Sequence, residues 1–256
     1  MTFLQWVKYV SLVVIMPHSL LRMEWQMLIY LNRDRKGFGL IKLRFQEDLR
    51  EVARRHSKDM AKKDYFEHVN LKGQSPSDRL KTARITDVVS GENLAKIGGY
   101  PEPVIEAEEG LMRSPGHRAN ILNKTYNCVG IGVIKSRDGV YYFTQNFAKR
   151  ILRFTKKIRK HASIDKGLRL KGFSVEPIDE IFYEVKFPGT SKAINKGGHL
   201  VKDRHFDFRV KFKDVGLHEV RVFVAPSSNT KKKSGMRRMH LANQFEISVK
   251  RWWFWR

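Results

Sequence analysis

Between residues 24 and 123 the apolar positions recur at helical spacing, and from Asn127 onward they alternate. In "EWQMLIYLNRDRKGFG", Trp25, Leu28 and Ile29 predict a helix that Gly37 stops. "QEDLREVARRHSKDMAKKDY" sets Leu49, Val52, Ala53 and Met60 near one stripe, with acids early and bases late, as the helix dipole favours. "SPSDRLKTA" reads as a short capped helix. "PEPVIEAEEGLMRS" opens on prolines and acids, which suit a helix N-terminus. "NCVGIGVIKS", a turn at "RDG" and "VYYFTQNFA" then predict a hairpin. Helices closed by a hairpin predict an α/β layered domain over residues 24–148.

The pattern changes again beyond this domain. Residues 149–160 hold seven basic side chains and no acid, so 149–166 reads as an exposed basic linker or helix. "GLRLKGFSV", "EIFYEVKF", "HFDFRVKF", "HEVRVFVA" and "FEISVK" are short alternating runs separated by Gly, Pro and Asn. They predict a small antiparallel all-β sandwich of immunoglobulin-like type over 167–250, with "SSNTKKKSG" as a long polar loop. An aromatic and basic tail, "RWWFWR", fills 251–256 as an interfacial anchor or an edge packed on the sandwich. Residues 1–23 contain a short apolar run, Tyr9 to Met16, that is too short to span a bilayer. They read as a signal or anchor, or as an N-terminal extension.

Composition narrows the partners. The chain has 256 residues, 41% hydrophobic, so a sizeable core is available. The formal net charge of +24 favours polyanionic partners: nucleic acid, anionic lipid or cell-wall polymer. Residues 1–150 carry 25 Lys+Arg against 16 Asp+Glu, and residues 151–256 carry 25 against 10, so the basic excess lies in the C-terminal part. No helix-turn-helix, zinc-finger or RNP pattern accompanies it, which argues against sequence-specific nucleic-acid binding. The single cysteine, Cys128, lies in "CVGIGVI" and reads as a buried structural thiol.

Candidate chemistry sits in the first domain. "RRHSKDM" supplies His56, "YFEHVN" His68, "SGENLA" Glu92 and "LMRSPGHRANILN" His117. No local metal motif such as H-E-x-x-H joins them, so any site is assembled by the fold. Two histidines and a carboxylate are a set that can hold zinc with one position left for water. Equally, each histidine can cap a helix or bond a carbonyl. Pro115 and Gly116 are read as a tight turn before His117, with Ser114 or Asn120 bonding freed backbone groups.

The succession "LIYLNRDRKGFG", "ARRHSKDM", "YFEH", "SPSDRL", "GENLA", "LMRSPGHRANILN", "YNCVGIGV" and "YYFTQNF" resembles the bacterial branch of the CAP superfamily, whose core is the SCP domain. The likeness covers about residues 24–148. It implies an α-β-α sandwich with a cleft of two histidines and two acids, in which the histidines hold a divalent metal in several members. His68, Glu92 and His117 fall on three of these positions, and His56 on a pattern that adds to the cleft. The fourth, acidic in eukaryotic relatives, falls on Ser114; Glu108 and Glu109 come one turn too early. The implied metal set is His68, His117 and Glu92, with zinc as the expected ion and no role in folding.

Three functions follow. The first is a secreted or envelope-associated binding module with an unknown ligand in a His/Glu cleft; without a signal or anchor in 1–23 it would be cytoplasmic. The second is a metal- or His/Glu-dependent hydrolase, with no Ser or Cys nucleophile evident beside a base. The third is a protein that binds an anionic polymer, lipid or other polyanion through its basic C-terminal half. The sequence leaves catalysis open.

Overall fold

The computed structural model describes residues 19–227 and 239–251. The apolar run before residue 19, most of the polar loop after Ser227 and the tail from Trp252 lie outside the described residues. The chain divides into two compact units. One is formed by the residues up to Ala83 with Ser90–Ala148, the other by Arg84–Val89 with the residues from Lys149 onward. No helix among the described residues is long and apolar enough to cross a membrane.

The first unit runs α1 (Leu20–Gly37), β1 (Arg44–Phe45), α2 (Glu47–Lys63), α3 (Pro76–Thr82), β2 (Ser90–Ile97), α4 (Pro103–Arg113), α5 (Pro115–Ile121), β3 (Cys128–Lys135) and β4 (Tyr141–Ala148). Its sheet has the order β1-β3-β4-β2, with β1 parallel to β3 and the rest antiparallel. Helices cover both faces. Val129, Ile131 and Val133 of β3, with Phe143 and Phe147 of β4, pack on Met27 and Leu31 of α1 and on Val104, Ala107 and Leu111 of α4. The alternate residues of β3, Gly130 and Gly132, face α2: a Cβ at either would meet the α2 backbone.

The stripe of α1 differs from the one read in the sequence. Met23, Met27, Leu28 and Leu31 point inward, while Ile29 is 60% exposed. Glu24 and Arg35 are fully buried instead, because each has internal partners. Arg54 of α2 donates to both Glu24 carboxylate oxygens, at 2.5 and 2.7 Å, and the Val133 N–H donates to Glu24 Oε1 at 3.3 Å. A buried carboxylate needs such pairing, and here it ties α1 to α2 and to the sheet.

The second unit contains β5 (Leu152–Phe154), β6 (His161–Ser163), β7 (Leu168–Ser174), β8 (Ile178–Lys186), β9 (Asn195–Leu200), β10 (His205–Val210), β11 (Gly216–Pro226) and β12 (His240–Lys250). They form two sheets, β10-β7-β5 and β6-β12-β11-β8-β9. β7 and β10 alternate strictly, and Leu168, Leu170, Phe206 and Phe208 share one apolar core with Ile181, Val185, Val220 and Ile247 of the other sheet. The segment 149–166, expected to be an exposed linker, is corrected here. It supplies β5 and β6, one to each sheet, and buries Leu152, Ile158 and Ala162 in that core. Those three apolar residues, spaced among the cations, are what hold it down.

Candidate functional site

β2 is an edge strand, and its alternation divides two adjacent polar residues between the faces of the sheet. Glu92 lies opposite Asn146 and Asn93 opposite Gln145. All four are buried, so each must find partners inside the protein.

On the α2 face, His68 Nδ1 lies 2.9 Å from Glu92 Oε1. Arg79 donates to Glu92 Oε2 at 2.6 Å, to the His68 carbonyl at 2.7 Å and to the Gln74 carbonyl at 3.1 Å. With its amide turned to satisfy both neighbours, Asn146 also donates to Glu92 Oε2 at 3.1 Å and accepts from the Ala53 N–H. The local sequence explains this placement. Ser75 and Asp78 form a capping box with Pro76 at the start of α3, which fixes the helix and sends Arg79 back under the loop. Asn70 holds that loop by accepting from the Lys72 and Gln74 N–H groups. The Glu92 side chain is 2% exposed and that of His68 is 49%, so the carboxylate is internal while the imidazole reaches the surface. The hydrogen bond to Glu92 raises the pKa of His68 against the opposing effect of burial, which favours imidazolium.

On the other face, Asn93 donates to the His117 carbonyl and to Gln145 Oε1, both at 3.1 Å. Asn120 of α5 donates to Asn93 Oδ1 at 2.9 Å and to the Glu92 carbonyl at 3.2 Å. Gln145 in turn donates to Glu108 Oε2 at 2.8 Å. Burial pushes the Glu108 carboxyl up to about 8. A continuous polar chain thus runs from the backbone of His117 to a buried carboxylic acid.

Pro115 and Gly116 are the first two residues of α5, not a separate turn, and His117 stands in the first turn of that helix. Ser114 is the N-cap residue, but its side chain makes no capping bond; only its carbonyl accepts, from the Arg118 N–H at 2.9 Å. The far end of α5 is held by Arg35, which donates to the carbonyls of Ile121 at 2.6 Å and Asn123 at 3.0 Å. A buried cation at a helix C-terminus satisfies carbonyls the helix leaves open. Arg35→Met, which keeps the bulk and removes these bonds, is expected to cost about 2 kcal/mol in urea unfolding. Unchanged stability would mean that α5 is held without it.

The structure therefore places the sequence candidates unevenly. His68 and Glu92 are in direct contact. His117 is close enough to His68 for the imidazolium charge to lower its pKa, after burial as the larger cause, so its ring favours the neutral form. His56 is 1% exposed, with Nε2 3.0 Å from the Glu67 carbonyl and Nδ1 without a partner among the described residues. It lines, together with Arg79, a cavity of about 270 Å³ on the α2 side. Arg79, Asn93, Asn120, Gln145 and Glu108 were not read as site residues from the sequence. The quoted strings "SPSDRL", "GENLA", "HRANILN" and "YYFTQNF" contain the first four, without stating their roles.

The sequence expects His68, His117 and Glu92 to share a metal ion. Among the described residues no group of three His, Cys, Asp or Glu side chains converges where it could hold a metal ion. Glu92 shows why it does not serve: its oxygens already accept from His68 and from a guanidinium, which a cation at that carboxylate would have to displace. The residues fit Glu92 as the group that orients His68 from behind, not as a ligand.

Comparison with known proteins gives the same region. The profile of the CAP family, described as the cysteine-rich secretory protein family, matches residues 28–147. The uncharacterized protein YkwD of Bacillus subtilis is 38% identical over 131 residues, covering 51% of this chain and 49% of its own length. The uncharacterized membrane protein YlbC of the same organism is 39% identical over 127 residues, covering 50% of this chain and 34% of its own. The chain thus spans half or less of the curated relatives it matches. A crystal structure of an extracellular SCP-domain protein from Bacillus anthracis superposes with a TM-score of 0.44 at 30% identity, over 50% of this chain and 40% of that one.

Proposed function

Through residues 28–147 this chain belongs to the CAP (cysteine-rich secretory protein) family, and we propose that its cleft is a non-covalent binding site. The observation that carries this reading is the double engagement of Glu92 by His68 and Arg79. With both oxygens engaged by donors, Glu92 orients the His68 ring from behind and is not itself the group that meets a ligand. What faces outward is the half-exposed His68 ring, whose bond to Glu92 favours the imidazolium donor, with the ring of His117, which burial pushes towards the neutral form, nearby. Such a pair suits a ligand that offers an acceptor group, a carboxylate or an amide carbonyl. A divalent ion would rest on the two imidazoles alone, with Glu92 behind His68. The reading includes an extracellular or envelope location, in keeping with the membrane protein among the relatives. It treats the second unit as an immunoglobulin-like sandwich.

The test follows the ring resonances of His68 and His117 by NMR while acetate and acetamide are added to the full chain. Both rings are expected to shift saturably at pH 6, and the His117 response is expected to weaken in His68→Ala. No saturable shift with either probe, or an ester- or peptide-cleaving activity abolished by Glu92→Gln, would overturn the reading.

A further inference from the structure

The second unit carries a cavity that the CAP cleft does not explain. It measures about 1000 Å³, against about 270 Å³ beside Arg79, and lies where the chain passes from one sheet to the other. Its walls come almost wholly from one continuous stretch, residues 154–171, joined by Arg209 of β10. The crossing loop between β5 and β6 contributes Lys156, Lys157 and Arg159. The turn into β7 and β7 itself contribute Lys166, Arg169 and Lys171. Against these cations the wall has one carboxylate, Asp165.

The pairing of these side chains is unequal. Arg169 and Lys171 share Asp207, so part of their charge is already met. Lys156, Lys157 and Arg159 are exposed and have no carboxylate partner among the described residues. A cluster of like charges is costly to bring together, and here it is held in place by structure rather than left to spread. Ile158, between Lys157 and Arg159, is buried in the core and anchors the loop. Arg84 donates to the Ile158 and Arg159 carbonyls and to that of Glu246 on β12, pinning the loop from behind. The floor is apolar, with Leu168 and Leu170 turned into the core. A fixed, concave, low-dielectric wall of one sign concentrates field and draws counter-ions.

We propose that this groove binds a linear phosphate-bearing polymer. The concavity argues for a chain laid into it rather than for a bilayer, which is flat and would meet projecting cations instead. The wall offers few rings on which nucleobases could stack: Phe154 is packed edge-on against Phe206, and the other ring is the small imidazole of His161. Arg159 provides a planar fork that matches phosphate oxygens, Arg209 adds a guanidinium already held by the Lys166 carbonyl through one nitrogen, and Lys156 and Lys157 provide point charges beside them. Binding is driven by counterion release, so it depends steeply on salt and on the number of phosphates spanned. It is independent of the His68–Glu92 cleft.

The test uses the full chain and inorganic polyphosphate as the probe, with orthophosphate for comparison. Two triple variants remove the same charge: Lys156→Gln/Lys157→Gln/Arg159→Gln in the groove, and Lys192→Gln/Lys202→Gln/Lys213→Gln on exposed positions outside it. Polyphosphate is expected to bind at about 50 mM salt and orthophosphate not to. The groove variant should lose at least about tenfold in affinity and about two in the slope of log K against log salt, while the control loses little. Circular dichroism confirms that both variants fold; if the groove variant does not, the single substitutions Lys156→Gln and Lys157→Gln carry the comparison. Equal losses in the two triples would reduce the effect to net charge. Tighter binding to phosphatidylglycerol vesicles than to polyphosphate would assign the surface to a membrane, and preference for one oligonucleotide sequence would assign it to base readout. Each of these results overturns the proposal.

Discussion

Gly132→Ala should unfold the CAP unit more readily than any other single-methyl addition in its sheet except Gly130→Ala. A Cβ at Gly132 would lie 2.2 Å from Arg54 N and 2.5 Å from Ala53 C, and one at Gly130 would lie 2.2 Å from Arg50 N and 2.3 Å from Leu49 C. These are backbone atoms, so no side chain can rotate away. The two glycines are two apart on a strand and their contacts are four apart on a helix, spacings that match to within about 1 Å. α2 therefore rests directly on β3, and Ser57 Oγ donates to the Gly132 carbonyl at 3.1 Å. Overpacking by a methyl costs about 1–3 kcal/mol where side chains can yield. Against backbone, about 3 kcal/mol or more is expected, a fall of about 10 °C in melting temperature for a unit of this size. Gly116→Ala is the control: nothing lies within 4 Å of its Cβ position, and it sits in the first turn of α5. That variant should match the wild type or gain up to about 1 kcal/mol from helix propensity. Gly132→Ala melting within about 2 °C of wild type would show that α2 is not seated on the strand at this distance.

The glycines mark where the sequence was legible and where it was not. "CVGIGVI" announces a strand by its β-branched alternation, and the β3–β4 hairpin is where that pattern put it. The same letters hide why alternate positions are glycine, because the reason is a helix some eighty residues earlier in the chain. β2 was missed for a related cause. In "SGENLAKI" both faces are buried and both carry polar groups, so no apolar alternation survives. β9 was missed because "NKGGHL" is an edge strand with almost nothing apolar; Gly197 leaves the room that the Tyr183 ring occupies. His68 and Glu92 could be named from motifs, and their contact is real in the structure. The identity of the group behind them, Arg79, depends on a capping box placing it under a loop, and no pattern in the chain states that. The basic stretch after Ala148 misled for the opposite reason. Its seven cations dominate the composition, while the three apolar side chains that bury it are easily passed over.

Glu108 supplies the strongest expected dependence on pH. It is 1% exposed, accepts one hydrogen bond from Gln145, and leaves Oε1 without a partner among the described residues. Burial raises its carboxyl from 4.5 to about 8. Below about pH 4.5 both the folded and unfolded chains hold this proton, and the group has no effect on stability. Between about 4.5 and 8 the unfolded chain releases the proton while the folded chain keeps it, so folding loses about 1.4 kcal/mol per pH unit. Above about 8 the loss levels off, on the order of 5 kcal/mol in total. Glu108→Gln removes this titration while keeping a carbonyl for Gln145 to donate to. Urea midpoints of both proteins should therefore converge near about pH 4.5 and diverge steadily up to about pH 8, with the variant the more stable. Comparing the two proteins cancels the contribution of His68, whose raised pKa also favours the folded state at low pH. The acetate response of His68 and His117 at pH 6 should be the same in both, since Glu108 is protonated there in the wild type. Parallel stability profiles across this range would mean that the carboxyl ionises in place, with water reaching the chain of amides behind His117.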